Sequence, residues 1–137
     1  MMKTFLLASL FMASAAFAQQ SAFKAQVLSR AEVEALRQQP DKVLFIDVRR
    51  PDEVTAKGGF PVYLSIQIAD LESSLSWIPK DRQIVTVSNH AARAGKAADL
   101  LAAKGFKVAG AVGVELYEKD GGTLTKIAPA PVLETQH

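Results

Sequence analysis

Apolar residues fall along this chain in short, nearly continuous runs separated by stretches of helical spacing. Val43-Leu44-Phe45-Ile46-Asp47-Val48 and Ile84-Val85-Thr86-Val87 each end at polar residues, and Phe106 to Val112 supplies a third run. Runs of this length bounded by turn signals read as strands covered on both faces of a parallel sheet. Between 62 and 68 the pattern changes, because Val62, Leu64, Ile66 and Ile68 alternate with Tyr63, Ser65 and Gln67. That alternation predicts a half-exposed strand, and Gly58-Gly59-Phe60-Pro61 before it reads as a turn.

The stretches between the runs carry helix signals. Ser29-Arg30-Ala31-Glu32 is a capping box with Leu28 and Val33 placed as its hydrophobic staple, so a helix starts at Arg30 and Pro40 stops it. Asp70 is placed to cap a short helix from Leu71 to about Trp77, ended by Pro79. Ala91 to Lys104 is an alanine-rich helix whose Ala94, Ala97, Ala98 and Leu101 form one narrow apolar face, with Gly105 as the residue that ends it. Val114 to Lys119 gives a final short helix before Gly121-Gly122, and residues 123–137, with Pro129 and Pro131, read as an extended tail. Strands alternating with helices imply right-handed crossovers and an α/β fold, an open, mainly parallel sheet with helices on both faces.

The N-terminus changes the picture of where this domain works. Lys3, an apolar stretch from Phe5 to Phe17 and Ala16-Phe17-Ala18 match a secretory signal with cleavage after Ala18. A membrane anchor needs about 20 apolar residues, more than separate Lys3 from Ala18. Residues 1–18 are therefore expected to be a cleaved signal, the product periplasmic or secreted and not inserted in a membrane, and residues 24–122 one domain. Without Lys3, 15 of the 16 basic residues face 14 acidic ones, and the formal charge falls from +2 to +1. That balance predicts no nucleic-acid surface. The chain has no cysteine, which excludes disulfides, thiolate metal sites and thiol redox couples. Two histidines and scattered carboxylates show no ligand spacing, and no glycine fingerprint opens a helix after a strand, so neither metal nor cofactor is expected.

Candidate chemistry concentrates where the second apolar run meets the alanine-rich helix. Ser88-Asn89-His90-Ala91-Ala92-Arg93 leads from strand to helix, and amides at a helix start carry partial positive charge that stabilises an oxyanion. Ligands on open α/β sheets bind beyond the carboxyl ends of the strands, which is where Asp47 and Ser88 both fall. Arg93 is placed either to face an oxyanion bidentately or to pair with Asp47 or Glu53. Asp47 and Arg49 read as a structural pair near a strand end. His90 reads as a solvated loop residue or a ligand contact, and Trp77 and Tyr117 as core or pocket-rim aromatics.

The order Phe45-Ile46-Asp47-Val48-Arg49, Glu53, Phe60-Pro61, then Ile84 to Ser88 and a loop closing on Arg93 resembles a single-domain rhodanese from about Ala31 to Lys119. Lys96 to Leu101, the Lys104-Gly105-Phe106 turn, and Gly113 with Glu115 and Tyr117 extend the resemblance. It implies a rhodanese-like sulfurtransferase fold in which active members hold a cysteine at the position of Ser88, whose thiolate accepts a sulfane sulfur as a persulfide. Here the middle of the loop departs from the family's small and basic residues, the family's histidine between the first two strands appears as Gly59, and the glycine after its proline as Val62. A cysteine starts from a pKa of about 8.5 that a helix N-terminus lowers, whereas a serine hydroxyl is a far weaker acid and forms no persulfide.

The expectation is thus a non-catalytic binding or regulatory module. Its partner is a small oxyanion, sulfate-, thiosulfate- or phosphate-like, or an exported protein, taken through residues 88–93. Two alternatives stay open: an ester or phosphoester hydrolase with Ser88 as nucleophile and His90 as base, and a sulfurtransferase whose cysteine was replaced.

Overall fold

A computed structural model describes residues 22–129; the expected signal and the last residues of the tail lie outside this range. Four parallel strands form one sheet in the order β2-β1-β3-β4: β1 Val43–Asp47, β2 Leu64–Ser65, β3 Gln83–Ser88 and β4 Lys107–Gly113. Around it lie α1 Arg30–Arg37, α2 Pro51–Lys57, α3 Ala91–Ala103 and α4 Val114–Lys119. The expected α/β architecture holds, including helices on both faces. Val33 and Leu36 of α1 and Val114 and Tyr117 of α4 pack with Val43, Phe45, Val85 and Val87 on one face. Ala97 and Leu101 of α3 pack with Ile46 and Ile84 on the other. The pleat explains the split, because successive strand residues point to opposite faces. Each fully buried Leu, Ile or Val in these layers contributes about 1.5–3 kcal/mol through removal from water.

Local signals were mostly realised. The Ser29 box forms reciprocally, with the Glu32 amide donating to Ser29 Oγ at 3.2 Å and the Ser29 amide to Glu32 Oε1 at 3.0 Å. Gly105 takes φ +87° after the last turn of α3. The chain before α1 adds to the sheet edge: Val27 bridges in parallel to Ala111 of β4. Of the tail, Thr125 forms an antiparallel bridge with Gly59.

Three sequence expectations need correction. The alternating stretch 62–68 yields only the two-residue β2, because Pro61 offers no amide to a ladder and Ile68 turns away into a 3₁₀ turn, Ile68–Asp70. The helix expected after Asp70 is a second 3₁₀ segment, Glu72–Trp77, without a side-chain cap; instead Ser73 Oγ donates to the Asp70 carbonyl at 3.0 Å. Trp77 is 81% exposed rather than core, whereas Tyr117 is buried as expected. One element was not foreseen: α2 begins at Pro51, directly after the charged residues read as the end of the first strand.

Candidate functional site

The carboxyl ends of β1 and β3, the start of α3 and the start of α2 converge on one set of polar side chains. Asp47, the last residue of β1, lies at the strand end, and Arg49 turns back onto it. Arg49 Nε donates to Asp47 Oδ1 at 2.9 Å and its Nη2 to Oδ2 at 2.7 Å, a bidentate pair. Both residues are buried, Arg49 completely. Its Nη2 also reaches the Gly58 carbonyl at 3.0 Å and its Nη1 reaches Asn89 Oδ1 at 3.0 Å. The pair expected from sequence is therefore present, and each of its side-chain nitrogens and oxygens has a hydrogen-bond partner, the condition under which a buried ion pair is tolerated. Gly59 packs against it, and a Cβ there would lie 2.9 Å from Arg49 Nη2.

Ser88 closes β3 and is wholly buried. Its hydroxyl donates to the His90 carbonyl and accepts from the Ala94 amide at 2.9 Å. Two residues earlier on the same strand face, Thr86 Oγ1 donates to the Ala94 carbonyl at 2.6 Å. Two strand hydroxyls thus hold both backbone groups of Ala94 and fasten the first turn of α3 to β3. The serine occupies the centre of the loop as a stitch, with its donor and an acceptor lone pair committed.

Arg93 takes the carboxylate alternative left open by the sequence, and the partner is Glu53 rather than Asp47. Its Nη1 and Nη2 donate to Glu53 Oε2 and Oε1 at 2.8 and 2.7 Å. Glu53 is the third residue of α2, where its carboxylate also accepts the Arg50 amide at 3.0 Å. The Arg93 guanidinium, aided by that amide, holds the Glu53 carboxyl down at about 2 against the opposing effect of burial. The Arg93 guanidinium is correspondingly raised by the same hydrogen bonds. Asn89 joins the two ion pairs, accepting from Arg49 and donating from Nδ2 to Glu53 Oε1 at 3.4 Å.

The outer edge of the loop is open. His90 is the N-cap position of α3 but makes no side-chain cap, and its Nδ1 lies 3.1 Å from Glu115, which Lys57 also contacts at 3.2 Å. Ala92 is exposed and Ala91 half-buried. His90 faces Glu115 and not Ser88, so the two residues of the hydrolase alternative do not form a nucleophile–base hydrogen bond. Residues missed as contributors are Glu115 and the side-chain role of Asn89; Glu53 carried a signal in Pro51-Asp52-Glu53, an acidic first turn after a helix-starting proline. Among the described residues no group of three or more His, Asp or Glu could hold a metal, and no helix is long and apolar enough to cross a membrane.

No protein-family model matches the chain, and no curated protein matches it. Solved structures do. A rhodanese-related protein from Thermoplasma volcanium superposes with a TM-score of 0.64 at 19% identity, covering 74% of this chain and 99% of the other. A single-domain sulfurtransferase from Saccharomyces cerevisiae gives 0.59 at 21% identity, covering 74% and 94%. A protein from Rhodopseudomonas palustris described as a possible tyrosine phosphatase gives 0.62 at 22% identity, covering 74% and 85%. At these identities the likeness establishes the fold.

Proposed function

We propose, from the rhodanese-like fold that this chain carries, that it is an exported binding module for a small oxyanion and does not transfer sulfur. The observation that carries this reading is the state of Ser88: at the position that the family resemblance assigns to a persulfide-forming cysteine stands a buried hydroxyl spent on the His90 carbonyl and the Ala94 amide. No thiolate is available, and an alkoxide would first have to break that stitch. What persists is a helix start without a side-chain cap and a guanidinium at its first turn. Arg93 is already held by Glu53, so an oxyanion enters by exchange with the Glu53 carboxylate, both being bidentate acceptors for the same fork.

The purified protein given thiosulfate and cyanide should produce thiocyanate at the rate of a buffer blank, and should show saturable binding of sulfate or thiosulfate by calorimetry that Arg93→Gln removes. Turnover above the blank, or anion binding indifferent to Arg93, overturns the reading. Export rests on the Lys3 to Ala18 pattern; fractionation of the producing cell, with a mature chain starting at Gln19, is the expected result.

A further inference from the structure

The shortness of β2 leaves a consequence at the opposite end of the sheet. Only Ile46 and Asp47 of β1 pair with β2, so Val43, Leu44 and Phe45 have no strand beside them on that side. The chain from Phe60 to Val62 passes there instead, held off the ladder by Pro61. Between this segment, the first half of β1 and the C-terminal end of α1 lies a cavity of about 150 Å³. It opens beside the first residue of β1, whereas Ser88 is the last residue of β3, so the two sites lie at opposite ends of the strands.

The walls combine two chemistries. Leu36, Val43, Phe45, Phe60 and Val62 supply apolar carbon, with Val62 75% exposed at the surface. Arg37 and Arg82 also line the cavity. The Arg37 guanidinium stacks over the Phe60 ring at 5.6 Å and is shared between Glu34 at 3.5 Å and the Tyr117 hydroxyl at 3.3 Å. Arg82, half-buried just before β3, has no hydrogen bond or ion pair to any described residue. A guanidinium without a carboxylate, on the wall of an apolar cavity, asks for an anion whose body is itself apolar. The size sets the body, since a dry engineered cavity of about 150 Å³ holds one benzene ring. No hydroxyl or amide side chain lines the cavity, which disfavours sugars and nucleosides.

We propose that this cavity is a second ligand site, for a small carboxylate with a single aromatic ring or branched aliphatic body, anchored by Arg82 and seated against Phe60. The site is independent of the reading of residues 88–93. Benzoate is the probe, with benzamide as the uncharged isostere and acetate as the acid without a body, each titrated into the full chain while NMR resonances are followed.

Benzoate should bind saturably and shift Leu36, Phe60 and Val62 but not residues 89–93. Benzamide and acetate should each bind about tenfold or more weakly, the equivalent of losing one charge-assisted contact or the buried ring. Arg82→Gln should weaken benzoate by a similar factor and Arg82→Lys by less; because Arg82 has no partner among the described residues, both variants should keep the parent's melting temperature. Val62→Trp, at the exposed mouth, should block entry. Absence of benzoate binding, equal binding of benzamide, indifference to Arg82→Gln, or shifts confined to residues 89–93 would each overturn the proposal.

Discussion

Two bidentate carboxylate–guanidinium pairs stand at one end of this sheet, and Asn89 touches both. In the first, Asp47 and Arg49, the side chains are 2% and 0% exposed; in the second, Glu53 and Arg93, they are 15% and 35% exposed. Both are bidentate with closest contacts of 2.7 Å, the inner through Nε and Nη2 and the outer through Nη1 and Nη2. Burial separates their roles. A buried pair cannot exchange its partner without stranding a charge in a medium that solvates it poorly. A rim pair can be solvated as it opens, and so is the one able to trade its carboxylate for an external anion. The inner pair therefore belongs to the fold, and the outer pair is the one placed to exchange partners.

The largest effect is expected from the inner pair. Asp47→Ala strands Arg49, leaving the Gly58 carbonyl and Asn89 as its acceptors, and should cost about 3–5 kcal/mol of unfolding free energy, the range for an uncompensated buried charge. Urea denaturation monitored by circular dichroism measures it, and a loss below about 1 kcal/mol would dissolve the contrast. Next comes the stitch. Ser88→Ala leaves the Ala94 amide and the His90 carbonyl without their buried partner and should cost about 1–3 kcal/mol. Faster hydrogen exchange at the Ala94 amide than in the parent protein would locate that loss at the start of α3.

The outer pair gives a smaller and pH-dependent effect. Glu53 has its carboxyl lowered from 4.5 to about 2, chiefly by Arg93, so it stabilises the fold fully above pH 4.5 and loses that contribution as pH falls toward 2. Discounted for the exposure of Arg93, the contribution is about 1–2 kcal/mol. Glu53→Gln should lack this acid limb while matching the parent near pH 2. It should also bind sulfate more tightly near neutral pH, because the competing internal carboxylate is gone. Weaker binding in that variant would mean that Glu53 shapes the loop instead of competing for Arg93.

How much of this was legible before the structure follows from the range of each interaction. The Ser29 box, the strand runs and Gly105 are local signals, and each element formed where its residues placed it. The Asp47–Arg49 pair, two residues apart at a strand end, is local too. Arg93 was different: its partner lies 40 residues away, and choosing Glu53 over Asp47 required the helix α2 that carries Glu53 to the loop. The alternating stretch 62–68 misled because period-two patterning also suits an extended edge segment of which only Leu64 and Ser65 pair as a strand. Pro51 with Asp52 and Glu53 was a helix start hidden behind Arg49-Arg50, and missing α2 meant missing the element that carries Glu53 to the loop. Asn89 gave no signal, since a loop asparagine serves a turn as readily as a bridge between two ion pairs.

His90 offers the finest test of the division between stitch and rim, because its own backbone and side chain fall on opposite sides of it. The His90 carbonyl accepts from Ser88, while the ring is 80% exposed and pairs with a Glu115 that is itself half in solvent. A substitution that removes the ring leaves the carbonyl in place. His90→Ala should therefore cost no more than about 0.5 kcal/mol, the scale of an exposed ion pair, and should change sulfate affinity far less than Arg93→Gln does. Measured beside Ser88→Ala, it separates a loop held by its backbone from one held by its side chains. A loss from His90→Ala as large as that from Ser88→Ala would place the ring inside the stitch and erase the boundary between buried frame and exchangeable rim.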